Sequence, residues 1–332
     1  MVAPQYFPPE VVKIAEGIKS MKIRGAGRIA RAAAKALKIA AEKYDLSRDS
    51  ESFVDYLNLV GDYLKSTRPT AVSLPNAVGY VLIRVSQGFE EGMGFSELRS
   101  IAINSAKSFI EMSKKAVEEI GRIGSRLISS GDTILTHCNS STAISVIRHA
   151  FLSGKEIRVF ATETRPKFQG LITYRTLRDL GIDVTLITDS AVRFFIKKID
   201  KVIVGADTIA ANGAVVNKIG TSQIALAAQE ARVRFFVASE TYKFSPATVL
   251  GELVVIEERS PLEVVPEEYI KKNSDIIVRN PAFDVTPPEY IDAIITEKGI
   301  IPPRAAIMVL VEEYGRIIST SLTKIAVEEE TD

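Results

Sequence analysis

Residues 132–163 read DTILTHCNSSTAISVIRHAFLSGKEIRVFATE. A short β-rich run, TILTH, leads through the capping residues Asn139, Ser140, Ser141 and Thr142 into the apolar run STAISVIRHAFL, and a second β-rich run, IRVFAT, follows. Strand, helix and strand in so short a span make a parallel crossover unit. The alternation continues through VTLIT, KVIVGA, VRFFVAS and ELVVIE, each separated by amphipathic or turn-rich residues. It predicts a parallel sheet with both faces covered by helices. Upstream the period is different: Ile29, Ala33, Ala36, Leu37 and Ala40 recur at three- and four-residue spacing, and FSELRSIAINSAKSFIEMSKKAVEEIGRIG keeps that period for many turns. The expected fold class is α/β, with an all-helical N-terminal domain over 1–128 and a parallel-sheet domain over 129–332, the boundary lying near GRIGSRLISSGD. No internal repeat is visible, and the acidic end VEEETD is expected to fray.

Composition narrows the function. The chain has 332 residues with 42 Lys and Arg against 41 Asp and Glu, a formal charge of +1, and no long block of like charge. Such a surface carries no electrostatic footprint for nucleic acid, so a small-molecule ligand is expected. One cysteine can build neither a disulfide framework nor a cysteine-based zinc cluster, and it suits a reducing compartment. MVAPQYFPPE lacks the order of a signal peptide, and no run of eighteen or more apolar residues could span a bilayer. The sequence-based expectation is a soluble, cytoplasmic protein with no membrane partner.

In an open parallel sheet, ligands bind outside the carboxyl ends of the strands. Cys138 follows TILTH, Glu163 and Arg165 follow IRVFAT, Asp207 follows KVIVGA, and Ser239 and Lys243 lie at or after VRFFVAS. A lone cysteine is most often a small buried hydrophobe. Cys138, however, precedes Asn139 and Ser140 at the mouth of a helix whose free N–H groups can stabilise a thiolate or bind phosphate. Asp207 can be read as a turn former; following an apolar strand it is also placed for the raised pKa that a general acid or base needs. The residues after it, AANGAVVNKIGT, supply Asn217 and Lys218 in a segment read as a loop around a polar ligand, with Lys218 on a phosphate. His149 falls inside a helical run and is read as structural, and His137 is given no catalytic role.

RGAGRIARAAA, residues 24–34, contains the spacing G-x-G-x-x-A of a dinucleotide fingerprint, but PEVVKIAEGIKSM upstream reads as a helix where that motif needs a strand. The alternatives are a phosphate site, made by Arg24, Gly25, Ala26 and Arg28 at a helix N-terminus, and a plain helix start with solvated arginines. Arg68, in STRPTAV, is either a second cation for the ligand or a surface arginine. No metal-ligand cluster is visible.

RGAGRIARAAA, RPTAV, THCNSST, TETRPKFQG, GADTIAANGAVVNKIGT and RNPAFDVTPPEYIDAIITEKGIIPP, taken in this order, resemble one superfamily. It comprises methylthioribose-1-phosphate isomerase, the regulatory subunits of the eukaryotic translation initiation factor exchange complex, and archaeal ribose-1,5-bisphosphate isomerase. The resemblance covers nearly the whole chain and implies a helical domain followed by a Rossmann-like, doubly wound one. The isomerases carry a cysteine and an aspartate as catalytic pair, which match Cys138 and Asp207, whereas the regulatory subunits typically lack that pair. Methylthioribose-phosphate isomerases usually have an N-terminal extension, and an apolar pair where this chain has Gly27 and Arg28. The resemblance is therefore nearest to the ribose-1,5-bisphosphate branch.

That likeness implies an aldose–ketose isomerase of AMP metabolism and nucleotide salvage, turning ribose 1,5-bisphosphate into ribulose 1,5-bisphosphate. Asp207 would move protons at the ring and carbonyl oxygens, and Cys138 the hydrogen between C2 and C1, as a proton carrier or in another role beside a hydride shift. Arg24, Arg28, Arg68, Arg165 and Lys218 would hold the phosphates, and Gln169 and Asn217 the hydroxyls. The same likeness implies no cofactor, no metal and a homo-oligomer, a hexamer in the nearest branch. The rivals are methylthioribose-1-phosphate isomerase and a non-catalytic regulatory subunit that binds a sugar phosphate or nucleotide.

Overall fold

Alanines at the inward positions of residues 26–43 decide how the helical part packs: Ala30, Ala33, Ala34, Ala36, Ala40 and Ala41 are buried with Ile29 and Leu37. In the computed structural model, which describes residues 6–45 and 49–315, they line the second of five helices. These are α1 (Pro9–Lys19), α2 (Ala26–Lys43), α3 (Ser50–Thr67), α4 (Ser73–Glu90) and α5 (Phe95–Gly124). Alanine is the strongest helix former and its small side chain lets neighbours approach, and α2 packs against α1, α3 and α4. Asp49 caps α3, its carboxylate accepting the Ser52 N–H at 2.7 Å. The VEEETD end lies outside the described residues.

The chain divides into two units, Met1–Lys115 and Ala116–Asp332. The division falls inside α5, whose last turns belong to the second core. Ile120 packs there with Ile128, Ile134 and Val146.

The second unit contains β1 (Thr133–Thr136), α6 (Ser141–Leu152), β2 (Arg158–Thr162), α7 (Gly170–Asp179), β3 (Asp183–Ile187), the short α8 (Val192–Phe195), β4 (Lys201–Val204), β5 (Thr208–Ile209), β6 (Val215–Lys218), α9 (Thr221–Ala231), β7 (Arg234–Ala238), α10 (Glu267–Lys272), β8 (Phe283–Thr286), β9 (Ala293–Thr296) and β10 (Gly299–Ile301). Seven strands form one sheet in the order β10-β9-β7-β4-β1-β2-β3. All its pairings are parallel except β9 with β10, which is antiparallel. From β1 the chain winds outward through β2 and β3, then returns to β4 and winds the other way through β7 and β9. The sheet is doubly wound, and its order reverses between β1 and β4.

Period-2 alternation sends neighbouring residues to opposite faces, and both faces are dry. Leu135, Val202, Val204, Phe235, Val237 and Ile294 meet Ile224, Ala225 and Ala228 of α9 and the helical residues Val309 and Leu310. Ile134, Ile203, Phe236, Ala238 and Ile295 meet Val146 and Ile147 of α6, Leu177 of α7 and the end of α5. Each such Val, Leu, Ile or Phe side chain, fully buried, contributes about 1.5–3 kcal/mol.

Two local expectations are corrected. ELVVIE is not a strand: Leu253 and Val255 are 90% and 68% exposed, so the run has no second layer to cover it. The last parallel strand is instead β9, AIIT, whose Ile294 and Ile295 are buried on opposite faces. The segment after Asp207 is not an open loop either. It folds into the β5–β6 hairpin, turning at Gly213 (φ 85°), and β8 adds to it as a small antiparallel sheet. No helix among the described residues is long and apolar enough to cross a membrane.

Candidate active site

Cys138 lies just beyond β1 and Asp207 just beyond β4, so the two flank the point where the strand order reverses. Their segments approach so closely that a side chain at Gly205, just beyond the end of β4, would overlap the Ser140 hydroxyl. Ser140 in turn caps α6, its hydroxyl oxygen accepting the Ala143 N–H at 3.3 Å, as the capping residues of THCNSST predict.

Cys138 is half-buried and takes a left-handed backbone, φ 65°. Only a surrounding structure that overdetermines it keeps a non-glycine residue there. Two threonines do this: Thr164 Oγ1 accepts the Cys138 N–H at 2.9 Å, and the Thr173 hydroxyl donates to the Cys138 carbonyl at 2.7 Å. Thr164 is itself left-handed, φ 62°, and Asp189 holds it by accepting the Thr164 and Arg165 N–H groups at 2.8 and 2.7 Å. Neither threonine carried a signal in the sequence, because both act through hydroxyl-to-backbone bonds across distant segments.

The thiol differs from the expectation of a stabilised thiolate. Burial pushes it up to about 11, while the Lys218 ammonium and the Asn139 N–H pull the other way and the carboxylates of Asp207 and Asp189 add to the rise. Desolvation outweighs the helix terminus. Lys218 is also buried; its ammonium donates to the Ala282 carbonyl at 2.9 Å and lies 4.5 Å from the centre of the Phe283 ring. Burial lowers its pKa, and the charges of Cys138 and Asp207 partly restore it. Thiol, carboxylate and ammonium thus form one electrostatically linked group at the switch point.

His137 is buried and neutral. Burial lowers its pKa, Nε2 donates to the Ile219 carbonyl at 2.9 Å, and Nδ1 accepts from the Thr162 hydroxyl at 2.6 Å. With both nitrogens engaged it forms a strut between Thr162 and Ile219. His149 bonds the Ser145 carbonyl one turn back in α6.

Asn217 and Lys218 lie on β6, with the Asn217 amide donating to the Thr221 hydroxyl at 3.0 Å. Gln169, before α7, has a buried Oε1 without a hydrogen-bond partner among the described residues. Arg165 is exposed, reaches the Val264 carbonyl at 3.0 Å and stacks on Phe168. Asn139 is exposed, and its Oδ1 accepts from Thr173 at 3.2 Å. After β7, Lys243 is buried in an ion pair with Glu240 at 2.6 Å. Within the first unit, Arg24, Gly25 and Ala26 lead into α2 with Gly25 left-handed (φ 89°), Arg28 is exposed one turn along, and Arg68 ends α3. α1 stands upstream, where a dinucleotide fingerprint needs a strand, which removes that reading. Among the described residues no group of three His, Cys, Asp or Glu is placed to hold a metal ion.

Asp284 was missed by sequence reasoning. Its Oδ2 accepts the N–H groups of Gly220 and Ser222 at 2.8 and 3.1 Å, and its Oδ1 is buried with no partner among the described residues. Burial raises the carboxyl to about 6 against those bonds and Lys218.

Residues 22–303 match the sequence model of the Initiation factor 2 subunit family. The chain is 57% identical over 300 residues to ribose 1,5-bisphosphate isomerase of Methanocaldococcus jannaschii, covering 90% of this chain and 94% of that one. It is 54% identical over 307 residues to ribose 1,5-bisphosphate isomerase of Thermococcus kodakarensis, covering 92% and 95%. Among solved structures it resembles the Pyrococcus horikoshii OT3 translation initiation factor eIF-2B with a TM-score of 0.75 at 33% identity, covering 91% of this chain and 100% of that one.

Proposed function

Because the chain belongs to the Initiation factor 2 subunit family, we propose that it is an aldose–ketose isomerase acting on a phosphorylated ribose, converting ribose 1,5-bisphosphate to ribulose 1,5-bisphosphate. The observation that carries this reading is the thiol of Cys138 and the carboxylate of Asp207 at the ends of β1 and β4, with the buried Lys218 ammonium coupled to both. A subunit that only binds its ligand has no need of two proton carriers at a doubly wound sheet's switch point.

The chemistry follows from the substrate. C1 is locked as a phosphorylated acetal, so the ring opens before hydrogen moves from C2 to C1. Asp207 gives a proton to the ring oxygen as the C1–O bond breaks toward oxygen. Cys138 as thiolate takes the C2 proton, and the C–H electron pair becomes the C1–C2 double bond. Asp207 then removes the O2 proton as the C2 carbonyl forms, and the thiol returns its proton to C1. Both groups end as they began.

The upward push that burial gives the thiol is compatible with a second path. There Cys138 remains a thiol while the C2 hydrogen passes to C1 as hydride and Asp207 takes the O2 proton. Substrate carrying deuterium at C2, converted in ordinary water, separates the two, because the proton path washes the label out and the hydride path keeps it at C1.

The phosphates are assigned to Arg24, Arg28, Arg68, Arg165 and Lys218 with the N–H groups at Gly25, Ala26, Asn139 and Ser140, and the hydroxyls to Gln169 and Asn217. Charge-assisted bonds from arginine suit phosphate geometry. We also read the chain as a cytoplasmic homo-oligomer. The test is turnover of the purified chain on ribose 1,5-bisphosphate, methylthioribose 1-phosphate and ribose 5-phosphate in parallel. Preference for the bisphosphate supports the reading, and preference for the methylthio sugar overturns it.

A further inference from the structure

We propose that Asp284 is the positioning residue that holds the Cys138 thiol and the Lys218 ammonium in register, acting through the Gly220 turn on His137 and Cys138 and along β6 on Lys218. This rests on the reading of Cys138 and Asp207 given above. Asp284 stands on β8 directly opposite Asn217 of β6, and Phe283 stands opposite Lys218. Its one carboxylate oxygen takes the N–H groups of Gly220 and Ser222, the orphan donors at the start of α9, and so fixes the turn that joins β6 to that helix. Gly220 is left-handed, φ 101°, and a side chain there would come within 3.2 Å of the His137 ring. The carbonyl just before it, that of Ile219, receives the His137 Nε2–H, and His137 is the residue before Cys138. On the other side of the turn, the Thr221 hydroxyl donates to the Lys218 carbonyl at 2.6 Å. Two short paths therefore lead from Asp284, one to the thiol and one to the ammonium.

The second oxygen shows that capping does not exhaust the role. A carboxylate used only as a cap gains by leaving its other oxygen to water, whereas Oδ1 here is buried and without a partner among the described residues. Protonation at Oδ1 leaves Oδ2 able to accept both N–H groups, so the turn can keep its shape while its charge changes. The charged group that acts on it is Lys218, one position along β6 from its partner Asn217, and the charges that act on Lys218 are those of Cys138, Arg259, Asp207 and Glu257. With the carboxyl raised to about 6 by burial, that change falls just below neutrality.

The test compares wild type with Asp284→Asn, which keeps the shape and one acceptor but cannot ionise. Cys138 is the one cysteine of the chain, so iodoacetamide reports it alone. Three quantities are followed between pH 5 and 9: the rate of Cys138 alkylation without substrate, kcat and KM on ribose 1,5-bisphosphate, and the thermal midpoint. In wild type the alkylation rate is expected to carry a step of about fivefold near pH 6 beyond the ordinary thiol titration, and kcat an acid limb at the same pH. In Asp284→Asn both features disappear, kcat falls by about tenfold or more and KM stays within about threefold. An alkylation profile unchanged by Asp284→Asn overturns the proposal whatever happens to the thermal midpoint. If the variant does not fold, a wild-type alkylation profile without a step between pH 5 and 7 overturns it equally. If wild type fails to turn over the bisphosphate, the functional reading fails, and the alkylation profiles still decide the role of Asp284.

Discussion

Thr164 accepts the Cys138 N–H at 2.9 Å, and both residues hold left-handed backbone, at φ 62° and 65°. The Cys138 thiol is thus aimed by a strained backbone that a neighbour, equally strained, keeps in place. Thr164→Val removes the acceptor, and leaving the Cys138 N–H unpaired costs about 1–3 kcal/mol. The expected result is a drop in kcat of about tenfold or more with folding retained, while Thr164→Ser stays near wild type. Steady-state kinetics with thermal melts check it. A Thr164→Val enzyme with wild-type kcat contradicts this account of how Cys138 is aimed.

Asp284 also leads to a stability prediction with a definite sign. Its carboxyl is raised from the ordinary 3.8 to about 6 in the folded chain, so the folded state binds its proton more tightly than the unfolded state does. The resulting penalty is absent below pH 3.8, grows as pH rises through the interval, and is fully present above pH 6, at on the order of 2–3 kcal/mol. Asp284→Asn does not ionise and escapes it. The thermal midpoint of the variant relative to wild type is therefore expected to rise between pH 4 and pH 7, even as its activity falls. A difference in midpoint that is flat across this range contradicts the burial assigned to Asp284.

Much of this was legible in the sequence. TILTH and KVIVGA are followed by Cys138 and Asp207, and parallel strands place their carboxyl ends on one rim, so the positions of these two residues on that rim were legible without coordinates. ELVVIE misled because an apolar run marks a strand only where two layers cover it, and Leu253 has neither. The strand AIIT, which does have both, was too short to stand out beside it. Asp284 lay inside a quoted motif but carried no local signal, since its role depends on the β6–β8 pairing with Asn217 and on two backbone N–H groups. The raised thiol was illegible for a related reason: the helix start after Cys138 is visible in sequence, whereas the burial that outweighs it is a property of the folded chain.

In the proposed reading, Arg28 is the residue that separates the bisphosphate from the methylthio sugar. It is exposed one turn into α2, beside the N-terminal N–H groups of that helix. Hydrogen bonds to a charged group contribute about 1.5–3 kcal/mol, so Arg28→Ala is expected to lower kcat/KM for ribose 1,5-bisphosphate by about ten- to a hundredfold or more. A substrate without the C5 phosphate loses far less. Equal losses on both substrates assign Arg28 to the C1 phosphate or to the fold, and no loss on either leaves it a solvated arginine.

The most direct measurement is turnover of ribose 1,5-bisphosphate by the purified chain, with Cys138→Ser and Asp207→Asn alongside it and substrate binding followed separately. Each substitution removes a proposed proton carrier while nearly preserving volume. The account predicts ribulose 1,5-bisphosphate from wild type, a loss of about a hundredfold or more in each variant, and binding retained in both. Wild-type activity in either variant, or no turnover by wild type itself, contradicts it.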